Sequence, residues 1–337
     1  MSSRRRRPTL EERLDQLSQL RHEPHSPATG RELRKALASR HHVVAAKAAK
    51  LVAELGLSDL SPDLVAAFDR FLEQPVKTDK GCLAKVAIAA ALVELEQPAV
   101  DLFRRGIRHV QMEPSFGPPV DAAVELRAHC AIGLANSGYR DAVLELVPLL
   151  IDSGSSARLA AARGIAAAGG AEAETLLRFK VLAGDDEPEV LTECFVGLLE
   201  LVPERSLDFV GEFLGDDDPL SGLLGGGDST VAEAAVLALG ESRLEAAVPI
   251  LREQWERCCD RQRGQTILLA LVTSRRESAL DFLLGLVAGG EPWEASDAIT
   301  ALAIYRDDPR ICDRVANALQ RNRSRREIEP HFRREFS

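Results

Sequence analysis

A ten-residue block recurs along the chain and limits its fold more than any other feature. The clearest copies are LRAHCAIGLA (Leu126–Ala135) and ARLAAARGIA (Ala157–Ala166). Both carry Arg at the second place (Arg127, Arg158), Gly at the eighth (Gly133, Gly164), Leu or Ile at the ninth (Leu134, Ile165) and Ala at the tenth (Ala135, Ala166). A small residue at the eighth place lets a neighbouring helix approach closely, and the branched residue after it fills the space between stacked pairs.

The eighth place sets a register for the chain. Forward from Gly133 it is Gly164, Gly197, Ala238, Ala270 and Ala301, at spacings of 31, 33, 41, 32 and 31. Backward it is Ala91 and Leu51, at spacings of 42 and 40. The long forward interval holds a glycine- and aspartate-rich insertion, GDDDPLSGLLGGGDS (Gly215–Ser229), and a backward one holds HVQMEPSFGPPVD (His109–Asp121). An apolar segment at helical spacing follows each block: residues 139–150, 171–182, 203–214, 244–255, 277–287 and 309–319. A regular period in this range means stacked helical pairs, and no convincing strand run appears. Thr29 with Glu32 is expected to form a capping box at the first regular helix. Residues 10–20 read as one short charged helix.

The pattern V-R-x-x-A-A-x-A-L-G, a turn and an amphipathic helix resembles the HEAT repeat. The short period and Ala-rich block are similar to the HEAT-like subtype first noted in phycobilin lyases. The resemblance covers residues 126–320 well and 29–125 less well, and Leu191, Ala232, Gly264 and Ala295 replace the second-place Arg in the later copies. It implies an all-α, right-handed α-solenoid of about eight HEAT-like helical hairpins, with the block helices lining a concave face. The expected divisions are a basic N-terminal segment (1–28), irregular repeats (29–125), regular repeats (126–320) and a basic C-terminal segment (321–337).

Charge narrows the partners. The net charge is −10, yet residues 1–21 and 321–337 each hold six Arg against three acids, so the remaining body is −16. Phosphate backbones are bound by Lys and Arg neutralisation, and single strands also need stacking rings. Aromatics are only 4% of this chain. A nucleic-acid-binding body is disfavoured, and such contact is left to the arginine tails. Six cysteines (Cys82, Cys130, Cys194, Cys258, Cys259 and Cys312) form no paired framework and read as buried, reduced thiols in a cytoplasmic protein. No apolar segment follows Arg4–Arg7, and no run approaches 18 uncharged apolar residues, so neither a signal nor a membrane span is expected. The Ala-, Arg- and Asp-rich composition suggests bacterial origin.

On the block helices, Arg127, His129, Arg158, Arg163, Glu193, Glu233, Gln265 and Asp297 are expected to face solvent. Arg127, Arg158 and Arg163, with His129, make the candidate partner-binding spot, since guanidinium forks suit carboxylate or phosphate groups. The competing reading pairs these arginines with acids of the next repeat. Met112, Phe116, Pro118 and Pro119 put apolar groups into the 109–121 insertion, which either plugs the space between repeats or shapes one rim of a partner groove. Asp216, Asp217, Asp218 and Asp228 offer oxygen ligands without EF-hand spacing. His22 and His25 flank Pro24 with no further ligands nearby. HEAT-like iron hydroxylases use several His-Glu pairs, and this chain has only His22-Glu23. Trp255 and Trp293 stand near helix ends and suit core or capping roles. No catalytic set, metal or cofactor is expected. The chain reads as a non-enzymatic scaffold holding a protein or peptide along the concave face. A HEAT-like lyase or chaperone for a chromophore-bearing protein is the alternative, and a nucleic-acid binder ranks below it.

Overall fold

Block helices place small residues where helices cross, and the helices accordingly pack side by side. The computed structural model describes residues 9–24, 26–215 and 229–336. Arg4–Arg7, His25 and the loop carboxylates Asp216, Asp217, Asp218 and Asp228 lie outside the described residues. Among the described residues the protein is all-α apart from one short hairpin, and it divides into two compact units, 1–173 and 174–337.

In the first unit, α1 (Leu10–Gln19), α2 (Pro27–Leu37), α3 (His42–Glu54), α4 (Ser61–Leu72), α5 (Pro75–Thr78), α6 (Leu83–Glu94) and α7 (Val100–Gly106) lead to the strands β1 (Met112–Glu113) and β2 (Val120–Asp121). α8 (Val124–Asn136), α9 (Ala142–Leu146) and α10 (Ser155–Ala168) follow. Helices α3, α6, α8 and α10 form one row, each packed on the next, with α4 against α6 and α7 against α8 on the outer side. The segment at 139–150, expected to be one helix, is instead α9 followed by a 3₁₀ turn at Val147–Ile151, because Pro148 cannot donate to the preceding turn.

α11 (Ala171–Ala183) spans the boundary between units. The second unit continues with α12 (Pro188–Leu201), α13 (Pro203–Gly211), α14 (Ser229–Glu241), α15 (Ala247–Arg257), α16 (Arg261–Thr273), α17 (Glu277–Gly289), α18 (Pro292–Leu302), α19 (Pro309–Leu319) and α20 (Arg325–Glu335). Its row is α12, α14, α16, α18 and α20, with α13, α15, α17 and α19 as outer partners. Proline at the first turn opens α12, α13, α18 and α19, where a missing N–H costs nothing. Asp260 caps α16 by accepting from the Arg263 amide, and Asp308 caps α19 by accepting from Arg310.

The block register has a direct packing meaning. Every ninth-place residue is fully buried: Val52, Leu92, Leu134, Ile165, Leu198, Leu239, Leu271 and Leu302. A Cβ on Gly164 would meet Leu146 Cδ1 at 2.9 Å, Ala135 Cβ at 3.3 Å and the Ala131 carbonyl at 3.5 Å. Gly240, the tenth residue of its block, is tighter still, since a Cβ there would lie 2.5 Å from the Ala270 carbonyl oxygen.

Two further expectations need correction. Thr29 lies inside α2 and donates to the Glu23 carbonyl, while Ser26 caps that helix ahead of Pro27. The reciprocal capping box is Thr9 with Glu12, at the start of α1. Of the six thiols only Cys82, Cys130 and Cys194 are buried; Cys258 and Cys312 are half-buried and Cys259 is exposed. Burial pushes the thiols of Cys82 and Cys194 up to about 12 and raises Cys130 as well. Among the described residues, no helix is long and apolar enough to cross a membrane.

Overpacking a tight crossing costs about 1–3 kcal/mol, so Gly164→Leu is expected to melt several degrees below the parent in a thermal scan, whereas Arg163→Leu, on an exposed position, shifts it far less. Equal shifts would remove the register. In the native protein a disulfide-exchange reagent at pH 8 should modify Cys258, Cys259 and Cys312 quickly. Cys82, Cys130 and Cys194 should react only after denaturant is added, and fast reaction of all six would contradict the packing.

Candidate partner interface

The insertion between α7 and α8 is where the first unit departs from plain helical pairs. Its core is a buried charge pair at the start of α6, with Asp79 ahead of the helix and Lys85 in its first turn. Asp79 and Lys85 are both fully buried, and Lys85 Nζ donates to Asp79 Oδ2 at 2.8 Å. The Asp79 carboxylate also accepts from the backbone amides of Ala84 (2.8 Å) and Lys85 (3.1 Å). These are donors of the first helical turn that a capping side chain normally satisfies. The chain reaches this geometry through two successive left-handed residues, Gly81 (φ 70°) and Cys82 (φ 56°). Glycine adopts that conformation freely; cysteine does so at a cost of roughly 1–2 kcal/mol.

From this base the insertion is pinned at several points. Gln111 is buried and its Nε2 donates to the Asp79 carbonyl (2.8 Å) and to Glu113 Oε1 (2.6 Å). Glu113 Oε1 also accepts from the Gly81 amide at 2.7 Å. On the other strand, Asp121 Oδ1 accepts from the amides of Gln111 (2.9 Å) and Ala123 (3.0 Å), and its Oδ2 from Arg127 Nη1 (2.7 Å). Arg127 then forks onto both oxygens of Asp152, at 2.7 and 2.8 Å, and donates to the His109 carbonyl at 2.9 Å. Burial alone would raise the Asp121 carboxyl. The two amide hydrogens and the guanidinium outweigh it and hold the group below the usual carboxylate range. For His109, burial dominates and holds the imidazole below its ordinary value, with the Gln111 contact opposing.

On this stem stands an apolar tip. β1 and β2 pair antiparallel, Met112 opposite Asp121 and Glu113 opposite Val120. Ser115 Oγ closes the turn, donating to the Pro118 carbonyl at 2.6 Å. Val110, Met112 and Val120 are at least half exposed, and Phe116 is entirely so. Pro118 and Pro119 lack amide hydrogens, which blunts the ribbon against uncontrolled strand pairing.

No family model matches the chain, and no curated protein matches it. Among solved structures it is similar to human deoxyhypusine hydroxylase in complex with glycerol, at 15% identity and a TM-score of 0.30, over 80% of this chain and 92% of that one. It is also similar to an engineered protein, at 17% identity and a TM-score of 0.38, over 98% and 95% of the two chains. The all-helical, repeat-like fold is what a HEAT-like repeat protein requires. Likeness at that level carries no activity across.

The residues expected to form a solvent-facing basic spot are distributed differently. Arg127 and Arg158 are buried. Arg127 pairs with Asp152, which ends the partner segment of its own repeat rather than belonging to the next one, and Arg158 Nη1 of the next block donates to the Asp152 carbonyl at 2.9 Å, so both guanidiniums meet at one turn between repeats. Asp297 is likewise buried. His129 is half-buried, where burial lowers its pKa and Glu125 partly opposes, and Arg163 is exposed. The apolar residues of the insertion do not plug the space between repeats: Met112, Phe116, Pro118 and Pro119 are exposed, and the buried residue is the polar Gln111. Asp79 and Lys85 were missed, and a buried Lys in an Ala-rich helix leaves no periodic signal.

Removing one partner of a buried ion pair typically costs about 3–5 kcal/mol. Arg127→Ala is expected to lower the unfolding free energy read from urea titration by an amount in that range and to speed hydrogen exchange at the amides of Gln111 and Ala123. Because the folded-state pKa of Asp121 is depressed, its contribution exists above the ordinary carboxylate pKa and is lost as pH falls through the folded value. The stability gap between parent and Asp121→Asn should therefore be full at pH 7 and shrink on acidification. A gap independent of pH would show that the carboxylate charge is not what holds the hairpin.

Proposed function

We propose that the chain is a non-enzymatic scaffold that holds a protein or peptide partner, and that the 109–121 hairpin is its principal contact. The observation that carries this reading is an apolar tip in water on a stem fixed by buried charges. Exposed apolar clusters are uncommon on monomers and mark interaction sites. Buried ion pairs rarely add net stability over apolar packing; what they add here is one defined hairpin position, hypothesised from their number and geometry. A preorganised tip loses little entropy on docking. The matching partner offers an apolar recess for Phe116, rimmed by basic groups that suit a body of net charge −16. The setting proposed for it is the reducing cytoplasm, consistent with unpaired thiols.

A photo-crosslinking phenylalanine analogue at position 116 should capture a defined protein from native lysate. The double variant Met112→Ser, Phe116→Ser should lose that protein in pull-down while melting like the parent. A partner retained by the double variant would place the contact elsewhere, with exposed Arg163 the next position to reverse to Glu. Co-purification of a coloured ligand without any protein would put the lyase reading first.

A further inference from the structure

The chain has two tryptophans, far apart in sequence, and both line one cavity of the second unit. The cavity is about 370 Å³, formed by the end of α15, the turn that follows it, and the starts of α16 and α18. Trp255 is held in place by an edge-to-face contact with Phe282, centroids 5.6 Å apart at 79°. Gly264 forms part of the wall, where a Cβ would come no nearer to the Trp255 ring than 3.8 Å. Trp293 contributes from the first turn of α18 and is 48% exposed, more than a core or capping role requires.

The polar lining has a definite sign. Glu256, Asp260, Glu294 and Asp297 face a single cation, Arg261. Arg261 is already committed, with Nε and Nη2 each 2.9 Å from an Asp297 oxygen, and Gln265 Nε2 adds a third donor to Asp297 at 3.0 Å. That fork neutralises the one positive group and leaves the formal charge of Glu256, Asp260 and Glu294 uncompensated by any other lining residue. Glu294 accepts from the Glu291 amide and Asp260 from the Arg263 amide, which fixes both carboxylates at the rim. Glu256 is exposed. An anion would meet repulsion here, and a neutral apolar ligand would leave the carboxylates without a purpose.

We propose that this cavity binds a bulky organic cation of the quaternary ammonium type between Trp255 and Trp293. Indole faces attract such cations through the ring quadrupole, and a low-charge-density ammonium loses little hydration on entry. The flanking carboxylates add long-range attraction without the close hydrogen bonding that a primary ammonium would demand. The volume falls in the range of small-ligand sites. The proposal is independent of the hairpin reading, since no residue is shared.

Because the cavity holds both tryptophans, tryptophan fluorescence of the full chain, excited on the red edge where the two tyrosines do not absorb, reports on it. Choline chloride and tetramethylammonium chloride, titrated at constant ionic strength, should change the emission saturably, while the neutral isostere 3,3-dimethyl-1-butanol should not. Trp293→Leu leaves Trp255 to report and is expected to weaken choline binding about five- to thirtyfold. Glu256→Lys, on an exposed position, should weaken it too, with circular dichroism melts unchanged in both variants. A trimethyllysine peptide binding more tightly than choline would assign the cation to a protein, and the reverse order to a free small molecule. A non-saturating response, an equal response to the neutral isostere, or parental affinity in Trp293→Leu would overturn the proposal.

Discussion

Within each unit the helices of the inner row meet through residues too small to hold them apart. At Gly164 a Cβ would stand 2.9 Å from Leu146 Cδ1 and 3.3 Å from Ala135 Cβ, tighter than ordinary contact, and at Gly240 only hydrogen fits against the Ala270 carbonyl. The fully buried ninth-place residues then fill the gaps those contacts leave. With so few aromatics to occupy volume, close approach is the means by which an Ala- and Leu-rich chain reaches native packing density. Everything functional hangs from that spacing, because it sets which loop ends come together.

Two kinds of polar construction are built on the rows. In the first unit, charges are buried and paired: Asp79 with Lys85, and Asp121 and Asp152 around Arg127. Every one of these groups is multiply hydrogen-bonded, which is the condition under which buried charge is tolerable. In the second unit, exposed Arg261 pairs with buried Asp297 in the lining of an open cavity, leaving other carboxylates in contact with solvent. The first arrangement holds a loop still. The second leaves a charged recess.

Arg127 illustrates how repeat position and role separate. Its place in the block matches that of Arg158, and both are buried beside Asp152. Later copies carry Leu191, Ala232, Gly264 and Ala295 at the same place. At Gly264 the lost side chain helps open the cavity beside Trp255. One repeat position thus serves as an ionic tie in the first unit and as a vacancy in the second.

The helical class, the block register, most partner segments and the 109–121 insertion were legible in the chain, because each rests on local spacing of small and apolar residues. Burial of Cys130 and Cys194 followed from the same register. The break at Pro148 was concealed by the apolar period of 139–150. What the tertiary structure alone decided is which distant groups meet. Asp79 reaches Gln111 across 32 residues, Arg127 reaches Asp152 across 25, and Trp255 and Trp293 arrive at one cavity from different helices. A guanidinium on a helix surface has the same local pattern whether it faces water or a carboxylate distant in sequence. Only the packing of the surrounding segments sets its dielectric surroundings and its partner, and with them its role.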